Sequence, residues 1–246
     1  MSHPHEHLIV ALDVSTASEA AKIVQCIGES AGLYKVGKQL FTAVGPEIVR
    51  DLVASGKKVF LDLKFHDIPN TVAAAVRSAS DLGVSMVTVH AAGGSKMLKA
   101  AVEAAASTAR PPLILAVTVL TSFTDQDVQE IGFSGNTTDN VLRLASLAQA
   151  AGCGGIVTSA AEVKDVRRGL GTGFAIVTPG IRPAGSAAGD QARIATPSAA
   201  IAAGASHIVV GRPITEAKNP AQAAREIVGE IESVLKNQRA PELAPR

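Results

Sequence analysis

The sequence alternates, eight times over, between a short run rich in β-branched residues and a longer, alanine-rich stretch with helical periodicity. The predicted strands are Leu8–Val14, Leu33–Lys38, Lys58–Phe65, Ser85–Ala91, Leu113–Leu120, Gly154–Ser159, Ala175–Ile181 and His207–Pro213. The predicted helices are Ser15–Gly28, Thr42–Ser55, Pro69–Leu82, Ser95–Thr108, Thr138–Ala151, Ala160–Gly169, Thr196–Ala203 and Asn219–Lys236. Strands that alternate with helices form parallel βαβ units. Eight such units in 246 residues have the number and size of an α/β fold, the (β/α)8 TIM barrel.

The chain is expected to form a single domain over residues 1–236, because no stretch of linker-like composition interrupts the alternation. A doubly wound sheet is the alternative architecture, but no Gly-x-Gly-x-x-Gly pattern follows a predicted strand. The segment 237–246 contains Pro241 and Pro245 and is predicted to be a disordered tail.

Charge and terminal sequence indicate a cytoplasmic protein. The formal net charge is +1, so neither a nucleic acid nor a membrane partner is expected. The N-terminus lacks the apolar segment of a signal peptide, and its histidines at positions 3, 5 and 7 are interpreted as part of a frayed end rather than a metal site. Cys26 and Cys153 have no CxxC spacing and fit reduced thiols.

The third predicted strand carries two opposite charges on one face. Asp62 and Lys64 share that face with Phe60, because side chains alternate along a strand. An edge strand with a solvated ion pair is the alternative, but the aliphatic residues around the pair argue against an edge. Inward residues at the carboxyl ends of barrel strands build the active site. Asp13 ends the first strand and Lys35 lies in the second, so four charged groups are expected to meet at one rim.

The last two strands end in glycine and arginine. Gly180 precedes Arg182, and Gly211 is followed by Arg212, in the two loops where TIM barrels frequently bind phosphate. Glycine lets the backbone approach an anion, and arginine offers a two-pronged contact to phosphate oxygens. Gln191, in the loop 184–193, could close over the ligand. Two solvated loop arginines are the alternative reading.

A long connection separates the fifth strand from the helix that follows. It runs from Thr121 to Asp139, longer than most loops, and is predicted to be a mobile lid. Thr121 could bond a flat polar ring or cap its own backbone. His90, at the end of the fourth strand, is predicted to be a hydrogen-bonded core histidine. No Gly-x-Ser-x-Gly elbow or zinc-type spacing of His and Cys occurs.

Taken in order, these segments are similar to one family, orotidine 5′-phosphate decarboxylase. The matching segments are residues 9–13 (IVALD), 33–38 (LYKVGK), 62–71 (DLKFHDIPNT), 117–122 (VTVLTS), 177–183 (VTPGIRP), 189–191 (GDQ) and 210–213 (VGRP). They span nearly the whole chain without a departure at a motif position.

The resemblance implies a decarboxylase that converts orotidine 5′-monophosphate to UMP without cofactor or metal. Asp13 and Lys35 would hold the ribose, Asp62 would face the substrate carboxylate, and Lys64 would protonate C6. Crowding of the substrate carboxylate by Asp62 would be a second contribution, because it would raise the free energy of the ground state. The pyrimidine contact implied by the resemblance is Thr121, and the phosphate contacts are Arg182, Gln191, Gly211 and Arg212.

The resemblance also implies a homodimer with shared sites. Asp67 and Thr71 would reach into the partner's site and complete the catalytic set with Lys35, Asp62 and Lys64. A local role for Asp67 as the N-cap of the helix that starts near Pro69 is the alternative, and both can hold.

Two other functions stay open at this point. A related barrel family of Mg²⁺-dependent sugar-phosphate decarboxylases and aldolases shares the Asp-x-Lys-x-x-Asp pattern and would be stopped by a chelator. A non-catalytic barrel that binds a phosphorylated ligand would use Lys64 only for its charge.

Overall fold

Eight parallel strands close into a barrel in the computed structural model, which describes residues 3–184 and 195–239. The strands are β1 (Leu8–Ala11), β2 (Leu33–Gly37), β3 (Lys58–Phe65), β4 (Met86–His90), β5 (Leu113–Val117), β6 (Gly155–Val157), β7 (Ala175–Thr178) and β8 (His207–Val210). Each strand pairs with its neighbours in sequence, and β8 closes the barrel on β1 with Ile9 opposite Val209. The predicted (β/α)8 TIM barrel is confirmed.

The strands are connected through α-helices. These are α1 (Ala17–Ile27), α2 (Lys38–Val44), α3 (Glu47–Ala54), α4 (Pro69–Asp81), α5 (Gly94–Ala106), α6 (Asp125–Glu130), α7 (Thr137–Ala150), α8 (Val163–Leu170), α9 (Pro197–Ala203), α10 (Arg212–Thr215) and α11 (Pro220–Arg239). Short 3-10 turns occupy Pro4–His7, Gly28–Ser30 and Ala91–Gly93. Within residues 3–184 and 195–239, no helix is both long and apolar enough to cross a membrane.

Side-chain alternation along the strands divides the apolar residues into two cores. Ile9 and Ala11 point into the barrel and pack with Phe60 and Val209 in the smaller core. Leu8, Val10 and Leu12 point outward into the larger core between strands and helices. Both outcomes follow the period of two expected for strands. Apolar side chains fill the inside of the barrel, and the inward-pointing polar residues lie at its carboxyl end.

Several predicted boundaries differ from those of the structure, and at two of them the chain turns at Gly and Pro. The predicted helix Thr42–Ser55 is two helices, α2 and α3, separated at Gly45 and Pro46. Gly45 adopts a φ of 75°, a left-handed conformation that ends α2, and Pro46 has no N–H to continue it. The predicted strand His207–Pro213 ends at Val210, and α10 begins at Arg212.

The predicted lid contains a helix rather than an irregular loop. Thr124 Oγ1 accepts the N–H of Asp127, whose carboxylate accepts the N–H of Thr124, so α6 starts with a capping box. The Asp125 carboxylate then accepts bonds of 2.7 and 2.6 Å from the backbone and hydroxyl of Thr137, at the start of α7. The connection is therefore tied to the following helix.

The chain ends also differ from the prediction. Residues 4–7 form a 3-10 turn instead of a frayed end, and His7 Nδ1 lies 2.7 Å from the carbonyl oxygen of Ser206. At the other end, α11 continues to Arg239, past the predicted boundary at residue 236. Residues 240–246 of the predicted tail lie outside the described part of the chain.

Candidate active site

A cavity of about 520 Å³ opens at the carboxyl ends of the barrel strands. Its volume is that of a small-molecule site. Eight residues singled out in the sequence line it: Asp13, Lys35, Asp62, Lys64, Thr121, Arg182, Gly211 and Arg212. The fold therefore brings together side chains from both ends of the sequence.

Four charged side chains form a line of alternating sign, one from the segment that follows β1, one from β2 and two from β3. Lys35 Nζ donates to Asp13 Oδ1 at 2.8 Å and lies 3.9 Å from Asp62 Oδ2. Lys64 Nζ contacts both carboxylate oxygens of Asp62 at 2.9 Å. The side chains of Lys35 and Asp62 are only 11% and 13% exposed, so these charges are largely removed from water and depend on one another.

The backbone of Lys64 is unusual. Its φ of 54° makes it the one positive-φ residue other than glycine within residues 3–184 and 195–239. The pairing of β3 with β4 shifts register at this place, since Leu61 lies opposite Val87 and Phe65 opposite Val89. At this irregular place the Lys64 amine contacts the Asp62 carboxylate. Such strain occurs at functional sites where surrounding contacts hold it.

A glycine makes room for the Lys35 amine. A Cβ atom placed on Gly37 would lie 2.7 Å from Lys35 Nζ and 3.2 Å from Asp13 Oδ1. The ion pair between Asp13 and Lys35 therefore packs directly against the backbone at the end of β2.

The opposite side of the cavity is rich in arginine. Arg182 is buried and donates to the carbonyl oxygen of Ile181 at 3.1 Å. Burial lowers the pKa of Arg182, the charge of Arg212 lowers it further, and Glu216 acts in the other direction. Two guanidinium groups that face one cavity repel each other, so a bound anion would relieve the repulsion.

Asp67 and Thr71 do not line the cavity of their own chain. Both are exposed, and so is Ile68 between them, at 67%. The N-cap of α4 is Ile68 and not Asp67, although Asp67 Oδ1 accepts the Ile68 N–H at 2.6 Å. The N-cap alternative is thus wrong for Asp67. Gln191 lies outside the described residues.

His90 is not the hydrogen-bonded core histidine that was predicted. Its ring stacks on His66 at 5.2 Å between centroids, and its Nδ1 atom is buried without a hydrogen-bond partner. Burial lowers the pKa of His90 to about 4, with smaller contributions from His66, Lys64 and Lys38.

Sequence reasoning missed four polar residues at the site, which are Gln39, Thr88, Thr215 and Glu216. Glu216 follows α10 and lines the cavity, as does Gln39, which α2 brings there because that helix starts earlier than predicted. Thr88 contacts both Asp62 and the backbone of Lys64. A signal for Thr88 was present, because it occupies an inward position of β4 two residues from Met86, where an apolar residue is expected.

The described residues contain no group of three or more His, Cys, Asp or Glu side chains placed to hold a metal ion. The histidines near the N-terminus therefore form no such group there.

Comparison with known proteins gives one consistent family. The profile of the "Orotidine 5′-phosphate decarboxylase / HUMPS family" matches residues 6–227. A protein of Idiomarina loihiensis named orotidine 5′-phosphate decarboxylase is 52% identical over 91% of this chain and 97% of its own length. One of the same name from Halorhodospira halophila is 54% identical over 91% and 95%. The crystal structure of orotidine 5′-phosphate decarboxylase from Lactobacillus acidophilus superposes with a TM-score of 0.83 at 39% identity, covering 92% of this chain and 99% of that one.

Proposed function

The chain belongs to the orotidine 5′-phosphate decarboxylase / HUMPS family, and we propose that it converts orotidine 5′-monophosphate to UMP and CO2 with Lys64 as the proton donor. The observation that carries this proposal is the Lys64 ammonium held at 2.9 Å from both oxygens of Asp62, inside the cavity. A cation fixed beside a carboxylate can act on a reacting carbon without a cofactor.

The chemistry requires charge stabilisation at one carbon. Cleavage of the bond between C6 and the carboxylate releases CO2 and leaves the electron pair on C6. The ammonium of Lys64 stabilises that charge as it develops and then gives C6 a proton, becoming a neutral amine that solvent reprotonates. Because Asp62 already holds the ammonium in place, the cation needs little reorganisation when the charge forms.

In this proposal the other residues of the cavity bind the rest of the substrate. Asp13 is 52% exposed at the cavity mouth and pairs with Lys35, a donor and acceptor arrangement that suits ribose hydroxyls. Thr121 faces the pyrimidine. Arg182 and Arg212, with the backbone of Gly211, bind the phosphate, and Gln191 from the loop 184–193 would add a neutral donor. Phosphate binding positions the ring against Lys64.

The active unit in this proposal is a homodimer with shared sites. Asp67 and Thr71 are exposed on the same segment and lie outside the cavity of their own chain, next to the exposed Ile68. A second copy could bury this segment and carry Asp67 to the partner's Lys64. The carboxylate would then complete the alternation of charge beyond Lys64.

Subunit mixing tests the shared site. Inactive Asp67→Ala and Lys64→Ala dimers are mixed and allowed to exchange subunits, and each heterodimer then contains one site with native Lys64 and native Asp67. Random reassortment in a symmetric dimer should restore about a quarter of wild-type activity. Activity that stays at background after exchange has been verified by mass spectrometry would reject the shared site.

The reaction itself is tested by following the ultraviolet absorbance of orotidine 5′-monophosphate in EDTA. Loss of the orotate chromophore with formation of UMP is expected from wild type and not from Lys64→Ala. Lys64→Arg is the matched variant, because arginine keeps the charge but stays protonated in proteins. We expect Lys64→Arg to bind UMP but not to turn over. No turnover by folded wild-type dimer would reject the function.

The cytoplasm is the proposed location, in keeping with nucleotide synthesis and with two free thiols, one of them buried. Cell fractionation with activity measured in each fraction tests this.

A further inference from the structure

Thr88 is a fully buried threonine on the inward side of β4, beside the irregular part of β3. Leu61 lies opposite Val87, and Phe65 opposite Val89. The three residues from Asp62 to Lys64 therefore stand against Thr88 alone, and they cannot all pair with the backbone of β4. Unpaired buried backbone groups are costly, so the irregularity needs a side chain that supplies hydrogen bonds.

The hydroxyl of Thr88 makes one hydrogen bond to such a backbone group and a second to a side chain. The N–H of Lys64 donates to Thr88 Oγ1 at 2.8 Å, and Thr88 Oγ1 donates to Asp62 Oδ1 at 3.0 Å. The direction is settled by chemistry, since a backbone N–H only donates and an ionised carboxylate only accepts. One hydroxyl thus joins the left-handed backbone of Lys64 to the carboxylate that its own ammonium contacts.

Resting on the function proposed above, we propose that Thr88 is a positioning residue for decarboxylation, which holds the Lys64 backbone and the Asp62 carboxylate in one fixed arrangement beside C6. When Lys64 gives up its proton, its bonds to Asp62 lose their charge assistance. The bond from Thr88 to Asp62 is unaffected by that step. Asp62 therefore keeps its orientation while CO2 leaves and until the amine is reprotonated.

The test replaces Thr88 by valine, which keeps the β-branched shape and removes the hydroxyl. We expect kcat to fall by about 10- to 100-fold, the range for a small misplacement of a reacting group, with KM changed by less than about threefold. Thr88→Ser keeps both hydrogen bonds and should retain kcat within about threefold. Thr88→Cys offers weaker bonds of similar size and should fall between them.

Thr118→Val is the matched control. Thr118 is also buried, and its hydroxyl donates to the carbonyl oxygen of Val157 at 3.0 Å, on β6. Loss of the Thr118 hydroxyl should lower the free energy of unfolding without lowering kcat. A second readout is hydrogen exchange of the peptide 60–67. The Lys64 amide should exchange faster than in wild type in Thr88→Val and at the wild-type rate in Thr118→Val.

The outcomes separate this inference from the function on which it rests. Wild-type turnover with an undiminished kcat in Thr88→Val overturns the role of Thr88 and leaves the decarboxylase intact. A fall in kcat that Thr118→Val matches, or that Thr88→Ser fails to restore, also overturns it. If Thr88→Val does not fold, the graded series of Ser and Cys decides by kcat in the same way. Absence of wild-type turnover would instead reject the proposed function.

Discussion

The partly buried His90 makes the free energy of unfolding depend on pH between about 4 and 6.5. The pKa of His90 is lowered from its usual 6.5 to about 4, chiefly by burial. The unfolded chain therefore binds a proton in this range that the folded chain does not. Stability is complete above pH 6.5 and is lost as the pH falls toward 4.

The size of the loss follows from the shift. When the pH falls from 7.5 to 4.5, one histidine with these two pKa values would lower the protein's free energy of unfolding by about 2.5 kcal/mol. His90 is not fully buried, and screening by solvent reduces the figure to about 1–2 kcal/mol. His66, Lys64 and Lys38 all face it and act in the same direction, so none offsets the loss.

Urea unfolding of wild type and His90→Leu at the two pH values measures this contribution. Because Nδ1 has no hydrogen-bond partner, His90→Leu should have nearly the same free energy of unfolding as wild type at pH 7.5. At pH 4.5 its free energy of unfolding should exceed that of wild type by about 1–2 kcal/mol. His207→Leu is the matched control, since burial also lowers the pKa of His207 to about 4 at the other end of the strands. His207→Leu should reduce the pH dependence of the free energy of unfolding by a similar amount without affecting turnover. An equal difference between wild type and His90→Leu at both pH values would refute the reasoning.

Substitutions at three further positions probe the framework and the site. Arg167 donates hydrogen bonds to backbone carbonyls, among them that of Gly204, and to the Ser206 hydroxyl. In chemical denaturation, Arg167→Met should therefore lower the free energy of unfolding by about 3 kcal/mol, and Arg167→Lys should lower it by less. Thr178 Oγ1 is buried without a partner, so Thr178→Val should raise the melting temperature, equivalent to about 1 kcal/mol; a decrease would contradict this. Gly37→Ala should displace the Lys35 amine and lower kcat/KM by about tenfold at unchanged stability, as steady-state kinetics would reveal.

The sequence predicted the barrel and the composition of its rim because both depend on local periodicity. Inward and outward positions of β1 follow from alternation alone, which places Asp13 beside Ile9 and Ala11. Errors arose where helices begin and end. The predicted helix is broken at Gly45 and Pro46, and α2 begins at Lys38, so that it includes the cavity residue Gln39. The capping box at Thr124 begins a helix within the predicted lid. Both depend on short turn signals within alanine-rich or polar stretches.

The conformation of Lys64 could not have been predicted from any such pattern. In a regular strand, Asp62 and Lys64 would point the same way with their side chains side by side, since residues two apart share a face. Lys64 instead has a left-handed φ, and its amine contacts both oxygens of one carboxylate. A non-glycine residue in this region costs about 1–2 kcal/mol, and a partner must offset that cost. The partner is Thr88, which lies 24 residues from Lys64 along the sequence and is brought beside it by the pairing of β3 with β4. The geometry of Lys64, the candidate proton donor, therefore depends on the neighbouring strand. The inward threonine of β4 contributes to it together with the charged residues of β3.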